Sequence, residues 1–121
     1  MSRTVLIVDD SDLVRRILGF TLKKEGYNTL FAEDGKEALS LFDGRDISLV
    51  VSDLNMPVMG GLEMIKGIRE MENYRFMPVV LFVSDAGADL NHFIRNSGAT
   101  IVFDKDAIKE KLAPTVKKLI W

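Results

Sequence analysis

Residues 50–61 read VVSDLNMPVMGG. A short apolar run stops on one aspartate, Asp53, and gives way to a loop holding Pro57 and the glycines Gly60 and Gly61. A segment of helical period then covers about Leu62 to Glu70. The run does not alternate apolar with polar residues, the pattern of a strand covered on both faces in a parallel sheet. The unit is strand, loop and helix, with a carboxylate at the carboxyl end of the strand.

The same grammar runs along the whole chain. Short runs rich in β-branched and bulky residues, TVLIV, NTLFA, ISLVVS, PVVLFVS and TIVF, alternate with segments of helical period. In the first helical segment Leu13, Ile17, Leu18, Thr21 and Leu22 form one stripe, Ser11 or Asp12 can cap its start and Gly26 can end it. Further helices are expected at about Lys36 to Phe42, Asp89 to Ser97 and Ala107 to Ile120. Pro114 lacks a backbone donor and predicts a kink or break in the last of these. Strands followed by helices imply right-handed crossovers and an α/β fold, a parallel sheet with helices on both faces.

With 121 residues, 47% of them apolar, the chain is expected to form one domain over residues 1–121. Sixteen Lys and Arg against eighteen Asp and Glu give a net charge of -2, which disfavours nucleic acid and anionic membrane surfaces as partners. The N-terminus has no secretory signal pattern and no apolar run reaches membrane length, so a cytoplasmic location is expected. Without cysteine, disulfides and thiolate metal sites are excluded.

The chemistry gathers at strand ends. Strand one ends at Asp9 and Asp10, strand three at Asp53, strand four at Ser84 and Asp85, and strand five at Asp104 and Lys105. In an open parallel sheet these ends share one edge, where ligands bind at the point of strand-order reversal. Crowded carboxylates raise one another's pKa unless a cation compensates. Oxygen donors on an open crevice suit Mg²⁺; Ca²⁺ lacks its EF-hand loop pattern here, and zinc lacks histidine or cysteine. A metal beside a carboxylate, a hydroxyl and a lysine points to phosphoryl chemistry, with Asp53 as nucleophile and Ser84 and Lys105 holding phosphoryl oxygens.

At these residues the chain resembles the receiver domain of two-component response regulators, closest to the stand-alone chemotaxis type. VLIVDDSDLVRRIL from Val5, FAEDGKEAL from Phe31, SDLNMPVMGGLEMI from Ser52 and SGATIVFDKD from Ser97 carry the resemblance over essentially the whole chain. It implies a flavodoxin-like (βα)5 three-layer sandwich with strand order 2-1-3-4-5. It implies that Asp53 accepts a phosphoryl group from the phosphohistidine of a sensor histidine kinase or phosphotransfer protein. By the same resemblance Asp10 and Asp53 ligate Mg²⁺ directly, Asp9 acts through a bridging water, and Asn55 contributes its backbone carbonyl. Ser84 and Lys105 read the phosphoryl group, and a downstream protein senses the shift on the face of the fourth helix, fifth strand and fifth helix. The protein is then a signalling phosphoacceptor, catalysing only its own phosphotransfer and dephosphorylation.

Several positions depart from the family pattern. Val102 occupies the place of the switch aromatic, and Phe103, one residue on, points to the opposite side of the strand. Asp85 follows the switch hydroxyl where a small residue is usual, and its charge is expected to slow phosphorylation; Ala86 comes next to it. Asp106 replaces a common proline after Lys105, and Gly60 a frequent acid. Val102, Asp85 and Asp106 favour a second reading, a pseudo-receiver acting as a constitutive protein-binding module, which the intact core set opposes. A third reading takes DSDLV, from Asp10, as the nucleophile loop of a haloacid-dehalogenase-like phosphatase with Asp12 as acid/base, and leaves Asp53 unexplained. His92 and Met56, Met59, Met64, Met71 and Met77 read as surface or packing residues, and Lys109, Lys111, Lys117 and Lys118 as a solvated helix face.

Overall fold

The computed structural model describes residues 3–84 and 96–120. Five strands, β1 (Thr4–Val8), β2 (Asn28–Ala32), β3 (Leu49–Asp53), β4 (Val79–Val83) and β5 (Ile101–Asp104), form one parallel sheet in the order β2-β1-β3-β4-β5. This is the flavodoxin-like order. Winding reverses at β1, so the crevice at the strand carboxyl ends opens between β1 and β3.

Alternate residues of the central strands feed two cores. Val5 and Ile7 of β1, Leu49 and Val51 of β3, and Val80 and Phe82 of β4 pack with Leu18 and Leu22 of α1 (Asp12–Lys24) and with Leu112, Val116 and Ile120 of the C-terminal helix (Ile108–Ile120). On the other face Leu6, Val8, Val50, Val79 and Leu81 meet Ala38 of α2 (Gly35–Ser40) and Met64, Ile65 and Ile68 of α3 (Gly61–Glu70). Both faces of β1, β3 and β4 are therefore covered, which explains the unbroken apolar runs. The helix expected over Asp89 to Ser97 lies mostly outside the described residues, as do His92 and Trp121.

Two expectations are corrected. The buried face of α1 consists of Leu18, Gly19 and Leu22 with Val14 partly covered, while Leu13 is 67%, Ile17 41% and Phe20 70% exposed. A Cβ on Gly19 would lie 2.7 Å from the Phe31 ring, so this glycine lets α1 sit close against β2 and turns the 13/17/20 stripe outward. Of the kink or break expected at Pro114, the break is absent: the C-terminal helix runs continuously over Ile108–Ile120. Pro114 and Glu110, the residue four positions earlier whose carbonyl loses its donor, are both exposed, so water can serve that carbonyl.

The β3–α3 loop is tight. Val58 has φ +68°, and the Met59 amide donates to Pro57 O at 2.7 Å, closing a γ-turn around a β-branched residue in the left-handed region. Val58→Gly is expected to raise stability by about 0.5–1 kcal/mol, the relief of left-handed strain less the greater chain entropy of glycine. Urea denaturation of the two proteins measures it, and a destabilised glycine variant would contradict the assignment of strain.

Candidate functional site

The β1 and β3 ends bring three carboxylates together. One oxygen from each of Asp9, Asp10 and Asp53 lies within 4.8 Å of the others. Asp9 and Asp53 are buried and Asp10 is exposed, so the cluster has a closed floor and an open mouth. Asp53 is held by its strand. Its residue pairs with Phe82 of β4, its carbonyl accepts from the Ser52 hydroxyl at 2.8 Å, and the next amide, Leu54 N, donates to Phe82 O at 3.1 Å. Gly61 is forced by proximity: a Cβ there would lie 2.8 Å from Asp53 O.

Asp9 is fixed on three sides. Its amide donates to Ala32 O at 3.1 Å, its Oδ1 accepts from the Ser11 amide at 2.8 Å, and its carbonyl accepts from Arg15 Nη1 at 2.6 Å. Its Oδ2 is buried with no hydrogen-bond partner. A buried carboxylate oxygen in that condition is costly, and a hard cation would satisfy it. The donor set fits: all-oxygen ligands, two buried and one facing solvent, suit an ion that keeps part of its water shell.

Burial raises the Asp9 pKa above the ordinary carboxylate value, and the Asp53 and Asp10 charges add to the rise against the Ser11 amide and Lys105, which lower it. The folded state thus holds this proton more tightly than the unfolded chain does. Without metal, the Asp9 contribution is destabilising above its folded pKa, and it fades as pH falls from there toward the ordinary aspartate value of about 3.9. In EDTA, Asp9→Asn is expected to be more stable than wild type at neutral pH, with an advantage that shrinks as pH drops through that window. Thermal unfolding across pH checks this; a pH-independent difference would contradict it.

On the opposite wall Lys105 Nζ lies 3.4 Å from Asp53 Oδ2 and 5.9 Å from the Phe82 ring centroid. Lys105 begins a short 3-10 turn after β5, and the carboxylate of Asp104 caps that turn by accepting from the Asp106 amide at 3.0 Å. Ser84 follows β4 directly and is exposed, and Asn55 is exposed in the β3–α3 loop. Asp85 and Ala86 lie outside the described residues. Val102 packs toward the α2–α3 core and Phe103 toward the α1 core, so the two do occupy opposite faces of β5. Asp12, the acid/base of the phosphatase reading, is absent from the cluster: it is exposed and pairs with Arg16 at 3.0 Å and Arg15 at 3.3 Å.

A family model of the response regulator receiver domain matches residues 5–117. The chain belongs to the response regulator receiver family. Among curated relatives, a chemotaxis protein CheY homolog of Campylobacter jejuni is 34% identical over 119 residues, covering 89% of this chain and 88% of that protein. The CAI-1 autoinducer sensor kinase/phosphatase CqsS of Vibrio cholerae is 31% identical over 94% of this chain, which spans only 17% of that longer protein. The solved structure of the chemotaxis response regulator CheY4 of Vibrio cholerae superposes with TM-score 0.90 at 32% identity, covering 99% of this chain and 100% of that one. As a receiver, the chain is a signalling protein of the phosphoacceptor type, and its acidic pocket is the feature that fits this role. Receivers bind Mg²⁺ at such a cluster and take phosphoryl groups from histidine kinases. Among the described residues no helix is long and apolar enough to cross a membrane.

Sequence reasoning passed over two residues that the geometry makes prominent. Arg15 reaches back from α1 to the strand end that carries Asp9, and Phe82 lies beneath Lys105. A basic residue on the second turn of a helix that follows paired aspartates was the available signal for the first. Phe82 gave none, since it reads as one more core residue.

Proposed function

We propose that this receiver takes the phosphoryl group of a partner's phosphohistidine onto Asp53, in a site whose Mg²⁺ is held by the side chains of Asp10 and Asp53, by Asp9 through a bridging water and by the backbone carbonyl of Asn55. The observation that carries the reading is the meeting of three carboxylates with Lys105, whose ammonium is 3.4 Å from Asp53. A carboxylate oxygen of Asp53 attacks phosphorus, the N–P bond breaks, and the leaving imidazole takes up a proton. When bound, Mg²⁺ neutralises charge gathering on the phosphoryl oxygens. Lys105 pairs with one of those oxygens, and Ser84 donates its hydroxyl to another.

The modified residue carries about -1.5 to -2 charge in place of one negative charge. Lys105 then has a stronger partner, and movement there passes into β5 and the start of the C-terminal helix. The downstream protein binds the face that includes β5, an edge strand whose residues are all partly exposed, and the C-terminal helix with its exposed Lys109, Lys111 and Lys118. With Val102 in place of an aromatic, this output relies on the backbone after β5 rather than on burial of a ring. The pseudo-receiver reading loses ground because Asp9, Asp10 and Asp53 cluster within 4.8 Å and Lys105 lies 3.4 Å from Asp53.

The test is incubation with Mg²⁺ and acetyl phosphate, with intact mass recorded after rapid quenching. One phosphoryl group is expected with Mg²⁺ and none in EDTA. No adduct under either condition would return the chain to a binding module.

A further inference from the structure

We propose that Arg15 is a positioning residue for the acidic site, holding the β1–α1 turn so that Asp9 and Asp10 face Asp53. This rests on the receiver reading of the site and adds to it a residue outside the phosphoryl-handling set. The observation is a missing rung. In a parallel ladder a residue's amide and carbonyl both point to the same neighbouring strand. Asp9 donates to Ala32 O, so its carbonyl also points toward β2, but β2 ends at Ala32. The bond that the next rung would supply comes instead from Arg15 Nη1, at 2.6 Å.

That bond is charge-assisted and therefore stronger than the amide it replaces. It falls on the peptide joining Asp9 to Asp10, so it sets the direction of both carboxylates at once. The Arg15 side chain is only 12% exposed, and its Nη2 is 3.3 Å from Asp12 and 3.9 Å from Glu33, both exposed. The guanidinium thus ties the β1–α1 turn to the segment after β2. Three mutually repelling carboxylates would otherwise splay, and the positive charge behind the turn opposes that.

The experiment is calorimetric titration of Mg²⁺ into EDTA-stripped wild type, Arg15→Lys, Arg15→Gln and Arg15→Met, each checked for folding by circular dichroism. Partners one step removed from a metal change its affinity by about 10- to 100-fold when lost. Arg15→Met is expected to bind about 10-fold more weakly, Arg15→Gln less so, and Arg15→Lys within about 3-fold of wild type, because an ammonium keeps a charged donor for Asp9 O. Asp12→Asn and Glu33→Gln, which remove only the exposed ion pairs, should leave the affinity unchanged. If Arg15→Met does not fold, the order of Lys over Gln carries the test. Folded variants that all bind like wild type overturn the positioning role while leaving the receiver reading intact. A wild type with no saturable Mg²⁺ binding overturns both.

Discussion

Asp53→Asn is expected to abolish phosphoryl incorporation from acetyl phosphate in Mg²⁺, while the variant folds as well as wild type or better. The loss follows from the chemistry, since an amide cannot stand in for the attacking carboxylate. The gain in stability follows from the geometry. Removing one of three carboxylates whose oxygens lie within 4.8 Å relieves a repulsion that Lys105 offsets only in part, and about 1 kcal/mol of added stability in EDTA is a reasonable scale at a half-open site. Intact mass and urea denaturation measure the two halves separately. An adduct persisting in Asp53→Asn would move the nucleophile to Asp10 and reopen the phosphatase reading, whereas loss of the adduct together with loss of the fold would say nothing about chemistry.

Phe82→Ala is expected to cost about 3–5 kcal/mol, a large part of the roughly 5–15 kcal/mol that holds a domain of this size. Phe82 is fully buried and packs among residues from β1, β3, α1 and the C-terminal helix. It also lines a cavity of about 130 Å³ with Val14, Ile17, Leu18, Ile108 and the stems of Lys105 and Lys109, into which the space left by the ring would open. In urea the midpoint should fall with little change in slope. The site should feel the loss too: without the ring 5.9 Å from its ammonium, Lys105 forfeits about 1 kcal/mol of cation–π support, and acetyl phosphate labelling of the folded protein should slow about five-fold. Phe82→Leu separates the two effects, keeping most of the packing and none of the ring. Equal labelling rates in wild type and Phe82→Leu would assign the residue to the core alone.

The fold was legible because its signals are local. Runs such as VVLFV must be covered on both faces, and the helices between them prescribe a parallel sheet. Asp9, Asp10, Asp53 and Lys105 were legible for the same reason: each follows or ends a strand, and topology alone gathers such ends at one edge. The rotation of α1 was not legible. Leu13 and Ile17 lie one position before Val14 and Leu18, and Phe20 two before Leu22, and periodicity cannot choose between two adjacent apolar stripes when a glycine on the facing turn decides the approach. Arg15 was hidden because its partner is a main-chain carbonyl, which has no signature in sequence. That Pro114 does not break its helix was not legible either, because its cost depends on whether the carbonyl left free can reach water.

The C-terminal helix closes the core that β1 opens. Ile108, Leu112, Val116 and Ile120 cover the same apolar face as Val5 and Ile7, and Lys117 pairs with Glu25 at 2.7 Å, so the two ends of the described chain meet on one side of the sheet. During synthesis this face of the first three strands has only α1 over it until the C-terminal helix emerges, several seconds at ordinary elongation rates of about 5–20 residues per second. Strand pairing can begin early, but the cover that Leu112, Val116 and Ile120 add to this face comes only with the C-terminal helix. For the nascent chain, the hazardous interval is set by the position of one helix in the message, and a premature stop within its codons would yield a polypeptide with every carboxylate of the site and only α1 to cover this face of the sheet.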